Sequence, residues 1–188
     1  HFALCWADPE DTVVDAPFNI KMQLFTAAGA SVPSYPGGTV LVNQVAIEPS
    51  DSKQDSPAIA FDGTHIVVAW RGFSPVDFAY RVFARRFTWS GQENETPQPI
   101  PGEGEFIVDY GRIGSSTFAP VDISYLPQLQ PRPTVALKAD GSGAFVILWN
   151  ASPLNRVGGH EVHGQYFNAD AIPLGSEFRV HQALENPP

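Results

Sequence analysis

Any chemistry in this chain would have to start from its histidines and its turn aspartates. His1 stands first, and a free amino-terminal histidine joined by a second imidazole is a donor set that suits copper. His65, His160, His163 and His181 are the available partners. Position argues against the metal, because His1 opens an apolar run in the place that Ala144 takes before Phe145. His160 and His163 have ligand spacing only on a helix, since residues i and i+3 of a strand point to opposite faces. Asp140-Gly141-Ser142-Gly143 offers one carboxylate, whereas calcium takes about six to eight oxygens; turn chemistry accounts for this segment. Nucleophile-elbow and phosphate-loop patterns do not occur. Asn94-Glu95-Thr96 and Asn150-Ala151-Ser152 are glycan-acceptor sequons for a secreted chain. No catalytic residue, cofactor or metal ligand is assigned, the chain is not read as an enzyme, and calcium and copper stay open.

The elements that would position these groups come as a repeat. Around Trp149 the chain runs Pro133-Thr134-Val135-Ala136, then Phe145 to Trp149, Gln165-Tyr166-Phe167 and Glu177-Phe178-Arg179-Val180. Around Trp70 the order recurs as Pro57-Ala58-Ile59-Ala60, Ile66 to Trp70, Arg85-Arg86-Phe87 and Glu105-Phe106-Ile107-Val108. Around Trp6 only the last three pieces appear: Phe2 to Trp6, Gln23-Leu24-Phe25 and Val40-Leu41-Val42-Asn43. Internal repetition of this length marks stacked or radial supersecondary units.

Each unit reads as four strands, a to d. Asp62-Gly63 and Asp140-Gly141 are the turns between a and b. Strand b is near-continuously apolar and ends in Trp, as befits a strand covered on both faces. Strand c alternates, with Val82, Ala84 and Arg86 opposed to Phe83, Arg85 and Phe87. The predicted fold is all-β: three propeller-like four-stranded antiparallel repeats in one domain, the first lacking its first strand. Unit 1 covers 1–47, unit 2 covers 55–109, an insertion covers 110–132 and unit 3 covers 133–188.

Composition sets the class. The chain has 188 residues, of which 43% are hydrophobic, enough for a core in one ordinary domain. Its 18 Pro and 16 Gly favour short strands and turns over helices. A net charge of -9 argues against a nucleic-acid partner. No apolar run reaches the roughly 18 residues of a membrane helix, and no signal-peptide pattern is visible. Cys5 is the single cysteine, so no intrachain disulfide forms, and it reads as a small buried strand residue.

The chain opens inside a repeat, just after a missing strand a, and ends where the next strand a would begin. An apolar strand b left at a sheet edge is an association hazard. Two readings follow: a piece of a longer repeat protein, or completion of unit 1 by a neighbour's tail. The second makes copies of the chain its own partners. It places the contact at His1, Phe2, Leu4 and Trp6 on one side and Leu184, Pro187 and Pro188 on the other.

The pattern Pro-x-Val-Ala, Phe-Val-Val-x-Trp, Gln-x-Phe, Glu-Phe-x-Val-Asn resembles a repeat of large secreted and surface proteins of bacteria, of the adhesin and haemolysin type. Ala144 to Trp149, Gly164 to Asp170 and Pro173 to Val180 carry the closest match. The resemblance implies propeller-like blades and an extracellular or cell-surface location, and the chain is read as a non-catalytic structural or adhesive repeat protein. The alternative is a carbohydrate-binding or copper-dependent polysaccharide-active protein. Phe73, Phe78, Tyr110, Phe118 and Tyr125 are the aromatics that could meet glycans or pack on a neighbour.

Overall fold

The computed structural model describes residues 1–9, 18–32, 38–44, 54–74, 79–109, 132–151 and 161–180. They form three antiparallel sheets, and no helix occurs among them. The first sheet contains β1 (Phe2–Pro9), β2 (Phe18–Phe25), β3 (Ser31–Val32) and β4 (Val40–Leu41). The second contains β5 (Asp55–Phe61), β6 (His65–Ser74), β7 (Ala79–Thr88), β8 (Gln98–Pro99) and β9 (Phe106–Ile107). The third contains β10 (Pro133–Leu137), β11 (Phe145–Ala151), β12 (Glu161–Phe167) and β13 (Pro173–Arg179).

Register proves that the units are equivalent. Trp6 faces Lys21, Trp70 faces Phe83 and Trp149 faces His163 at the same step of the central hairpin. The fourth strand is in register too: Val40 lies opposite Met22, Phe106 opposite Ala84 and Phe178 opposite Gly164. That strand is longer than the sequence suggested. Its first half, Ser31–Val32 or Gln98–Pro99, pairs near the end of the third strand before the chain detours and returns. In the third sheet both halves join in β13, with a register shift between Gly164 and Tyr166.

Inner strands arise where the pattern placed strand a, at β5 and β10. Pro133 begins β10, where its missing N–H costs no ladder bond. Pro57 differs: β5 starts earlier, at Asp55, and Ser56-Pro57 lie in a register shift with Ser56 at φ 51°. A bulge absorbs the proline that a regular ladder would not accept. The hairpin at Asp62-Gly63 closes with Gly63 at φ 105°, as a tight turn requires. The first sheet has no counterpart of β5 or β10 among the described residues, so β1 pairs with β2 on one side only.

The sheets stack face to face in a propeller-like order, with β5 lying against both β1 and β10. One core lies between the first and second sheets, where Ile20, Met22, Leu24 and Val42 meet Ile66, Val68, Trp70 and Phe87. A second lies between the second and third, where Val67, Ala69, Val82 and Val108 meet Phe145, Ile147, Trp149 and Phe167. Strand β6 therefore alternates between two cores, which is why its run from Ile66 to Trp70 is apolar at every step. Polar latches reinforce the first interface. Arg85 Nη1 donates to the Val42 carbonyl at 2.7 Å, and the Gln44 and Glu105 side chains each accept the other residue's backbone N–H. The insertion, apart from Arg132, and the tail lie outside the described residues.

Candidate functional site

Equivalent positions in the three sheets have different surroundings, and the difference locates the site. In strand b, Ile66 is 0% and Phe145 3% exposed, yet Phe2 at the same position is 42% exposed. One step along the face, Val68 and Ile147 are fully buried while Leu4 is 50% exposed. The reverse holds on the opposite face. Val42, Val108 and Val180 each donate a backbone N–H to strand c, to Ile20, Val82 and Val162 respectively. Val42 and Val108 are buried under the next sheet, but Val180 is 50% exposed. Tyr166, at the place of Leu24 and Arg86, is 52% exposed.

Among the described residues the outer faces of the first and third sheets are thus two unlike apolar surfaces. The first sheet presents Phe2, Leu4 and Leu41, with Phe2 stacked on Phe25 at 5.3 Å. The third presents Leu174, Tyr166 and Val180, with Tyr166 stacked on Phe178 at 4.9 Å. Phe178 and Leu148 fold over Gly164, where an added Cβ would lie 2.6 Å and 2.5 Å from them. Beside the first surface runs the edge of β1 that no strand pairs among the described residues. Trp6 is half-buried on this strand, and Cys5 points to the opposite face, into the first core. Burial pushes the Cys5 thiol up to about 11, so it is no nucleophile near neutral pH.

The other sequence candidates are dispersed. His1 Nε2 lies 3.0 Å from Glu93, and its ring packs on Trp89 at 4.8 Å. His1 and Trp89, with Phe61, Asp62, Gly63 and Gly91, line an open groove of about 500 Å³. Trp89 is buried there, with its indole N–H donating to the Gln92 and Glu95 carbonyls, so it offers no free ring face to a sugar. His65 bonds to Asp62, whose carboxylate also accepts the Thr64 and His65 backbone N–H groups and titrates lower for it. Among the described residues no group of three His, Cys, Asp or Glu side chains could hold a metal. His160 and His181 lie outside those residues, as do Phe78, Tyr110, Phe118, Tyr125, Leu184, Pro187 and Pro188. Phe73 packs edge-on against Tyr80. Asn94 is exposed in a turn, whereas Asn150 is half-buried in β11 and accepts the Arg132 backbone N–H.

Sequence reading missed a polar group between the second and third sheets. His163 has Glu161 at 3.0 Å on one ring nitrogen and Glu177 at 2.5 Å on the other. Asp109 is buried beside Arg81, 3.6 Å away. Burial pushes its carboxyl up to about 6, against the pull of Arg81, with Glu177 adding to the rise. The available signal was the repeat itself, since Asp109 stands where unit 1 has Asn43.

Comparison with protein-family models, with curated proteins and with solved structures found no match. Among the described residues no helix is long and apolar enough to cross a membrane.

Proposed function

We propose that this chain is a non-catalytic structural or adhesive repeat protein of the bacterial cell exterior. It assembles head to tail into a filament or ring by β-strand completion. One observation carries the reading: β5 and β10 line the inner edges of their sheets, and β1, their apolar neighbour's counterpart, lacks such a partner among the described residues. A row of unpaired N–H and C=O groups on an apolar strand invites strand addition. The repeat order supplies the donor. Chain leaving β4 goes on to β5, and chain leaving β9 goes on to β10, so chain leaving β13 is in phase to become strand a of another copy. The contact residues are then His1, Phe2, Leu4 and Trp6, meeting Leu184, Pro187 and Pro188. The resemblance to bacterial surface repeats supports the extracellular location, where glycans are further candidate partners.

Removing residues 182–188 tests the donor. The shortened chain is expected to fold, with an unchanged far-ultraviolet spectrum, and to lose assembly by sedimentation velocity. Assembly equal to that of the intact chain would remove the tail from the account.

A further inference from the structure

We infer that the outer face of the third sheet docks on the outer face of the first sheet of a second copy. The inference rests on the reading of the chain as a self-assembling subunit, and it names the surfaces that meet. Strand completion alone would join edges and leave both faces in water.

The molecule already makes this interface twice. Each sheet has a forward face, marked by Val42, Val108 or Val180, and a backward face, marked by Leu4, Val68 or Ile147. The forward face of the first sheet covers the backward face of the second, and the forward face of the second covers the backward face of the third. Among the described residues, one forward face, on the third sheet, and one backward face, on the first, are not covered in this way. They are the two halves of the interface that occurs internally. Each fits the other, and the proposed partner is another copy of this chain.

The chemistry of the surfaces agrees. Tyr166, Leu174 and Val180 put apolar area on the forward face at positions where the earlier sheets are covered. Phe2, Leu4 and Leu41 do the same on the backward face. Lys21 also lies on the backward face, opposite Trp6, and forms an ion pair with Asp8. Apolar patches of this kind on a soluble protein mark interaction surfaces. Because the two faces differ, the contact is heterologous. Repetition of one rotation then closes a ring or extends a filament.

Two substitutions test it, Leu4→Glu on the backward face and Val180→Glu on the forward face. Both side chains are half-exposed in the isolated chain, so folding is retained; circular dichroism and the melting temperature verify this. Each variant alone is expected to associate about tenfold or more weakly than the parent chain in sedimentation velocity. An equimolar mixture is expected to restore one contact and give a dimer, since Leu4→Glu keeps the forward face and Val180→Glu keeps the backward face. A mixture that stays monomeric while the parent assembles overturns the inference. So does association of either variant at the parent's strength. The 182–188 deletion separates the two claims. Loss of assembly in the face variants with retention in the deletion supports face docking without strand donation. Loss in the deletion with retention in the face variants overturns face docking and leaves strand completion standing.

Discussion

Asn43 and Asp109 occupy one position in successive sheets and perform one task. The Asn43 side chain accepts the Ile20 backbone N–H at 2.8 Å, and the Asp109 carboxylate accepts that of Val82. Asn43 does this as a neutral amide, whereas Asp109 does it as an acid whose folded-state value lies near 6, above the ordinary 3.8. The protonated form is favoured by folding. The contribution is fully present below about pH 4 and is lost as pH rises through about 6. Asp109→Asn should therefore raise stability at pH 7 by about 1–3 kcal/mol and flatten its fall between pH 4 and 7. Urea unfolding of both proteins across that range measures it; equal pH profiles would contradict the assignment. Cys5 gives a second prediction at this scale. Its thiol should stay unreactive toward a disulfide reagent until denaturant is added. The sequence showed Cys5 as a strand residue, from its place before Trp6. It did not reveal that Asp109 is buried, because burial there depends on the third sheet.

Strands were the most legible level. Alternation in β2, β7 and β12, and the unbroken apolar run of β6, follow from which faces are covered, and that pattern is written residue by residue. The split outer strand was not legible. Two-residue pairings such as Leu24 with Val32 carry too little pattern, and their partners are set by the detour between the halves. The bulge at Ser56-Pro57 was likewise hidden, since proline looked like a strand start. Gly164 tests the packing of a single element. Met22 and Ala84 occupy its position in the other sheets, so size alone is not forbidden there. In the third sheet Phe178 and Leu148 fill the space, and Gly164→Ala should cost about 1–3 kcal/mol by overpacking. An unchanged melting temperature would show that the two side chains swing away freely. Trp70→Ala, between two covered faces, should cost about 3–5 kcal/mol. Trp6→Ala should cost much less in the isolated chain, because no sheet among the described residues covers it.

At the scale of the molecule, repetition does two things. It builds a core from modest sheets, each sealing the next, and among the described residues it leaves apolar side chains exposed on the outer faces of the first and third sheets. The missing first strand could be read from the alignment of His1-Phe2 with Ala144-Phe145. The two unlike faces could not, because a strand residue's side becomes inward or outward only when the order of stacking is known. In the proposed assembly, the edge of β1 and the faces marked by Leu4 and Val180 all meet another copy of the chain. The native mass of the intact chain across a range of concentration, paired with electron microscopy of the same samples, tests this most directly. Masses at multiples of 20.4 kDa that grow with concentration are expected, with rings or filaments in the images. A single species of 20.4 kDa at every concentration would contradict it.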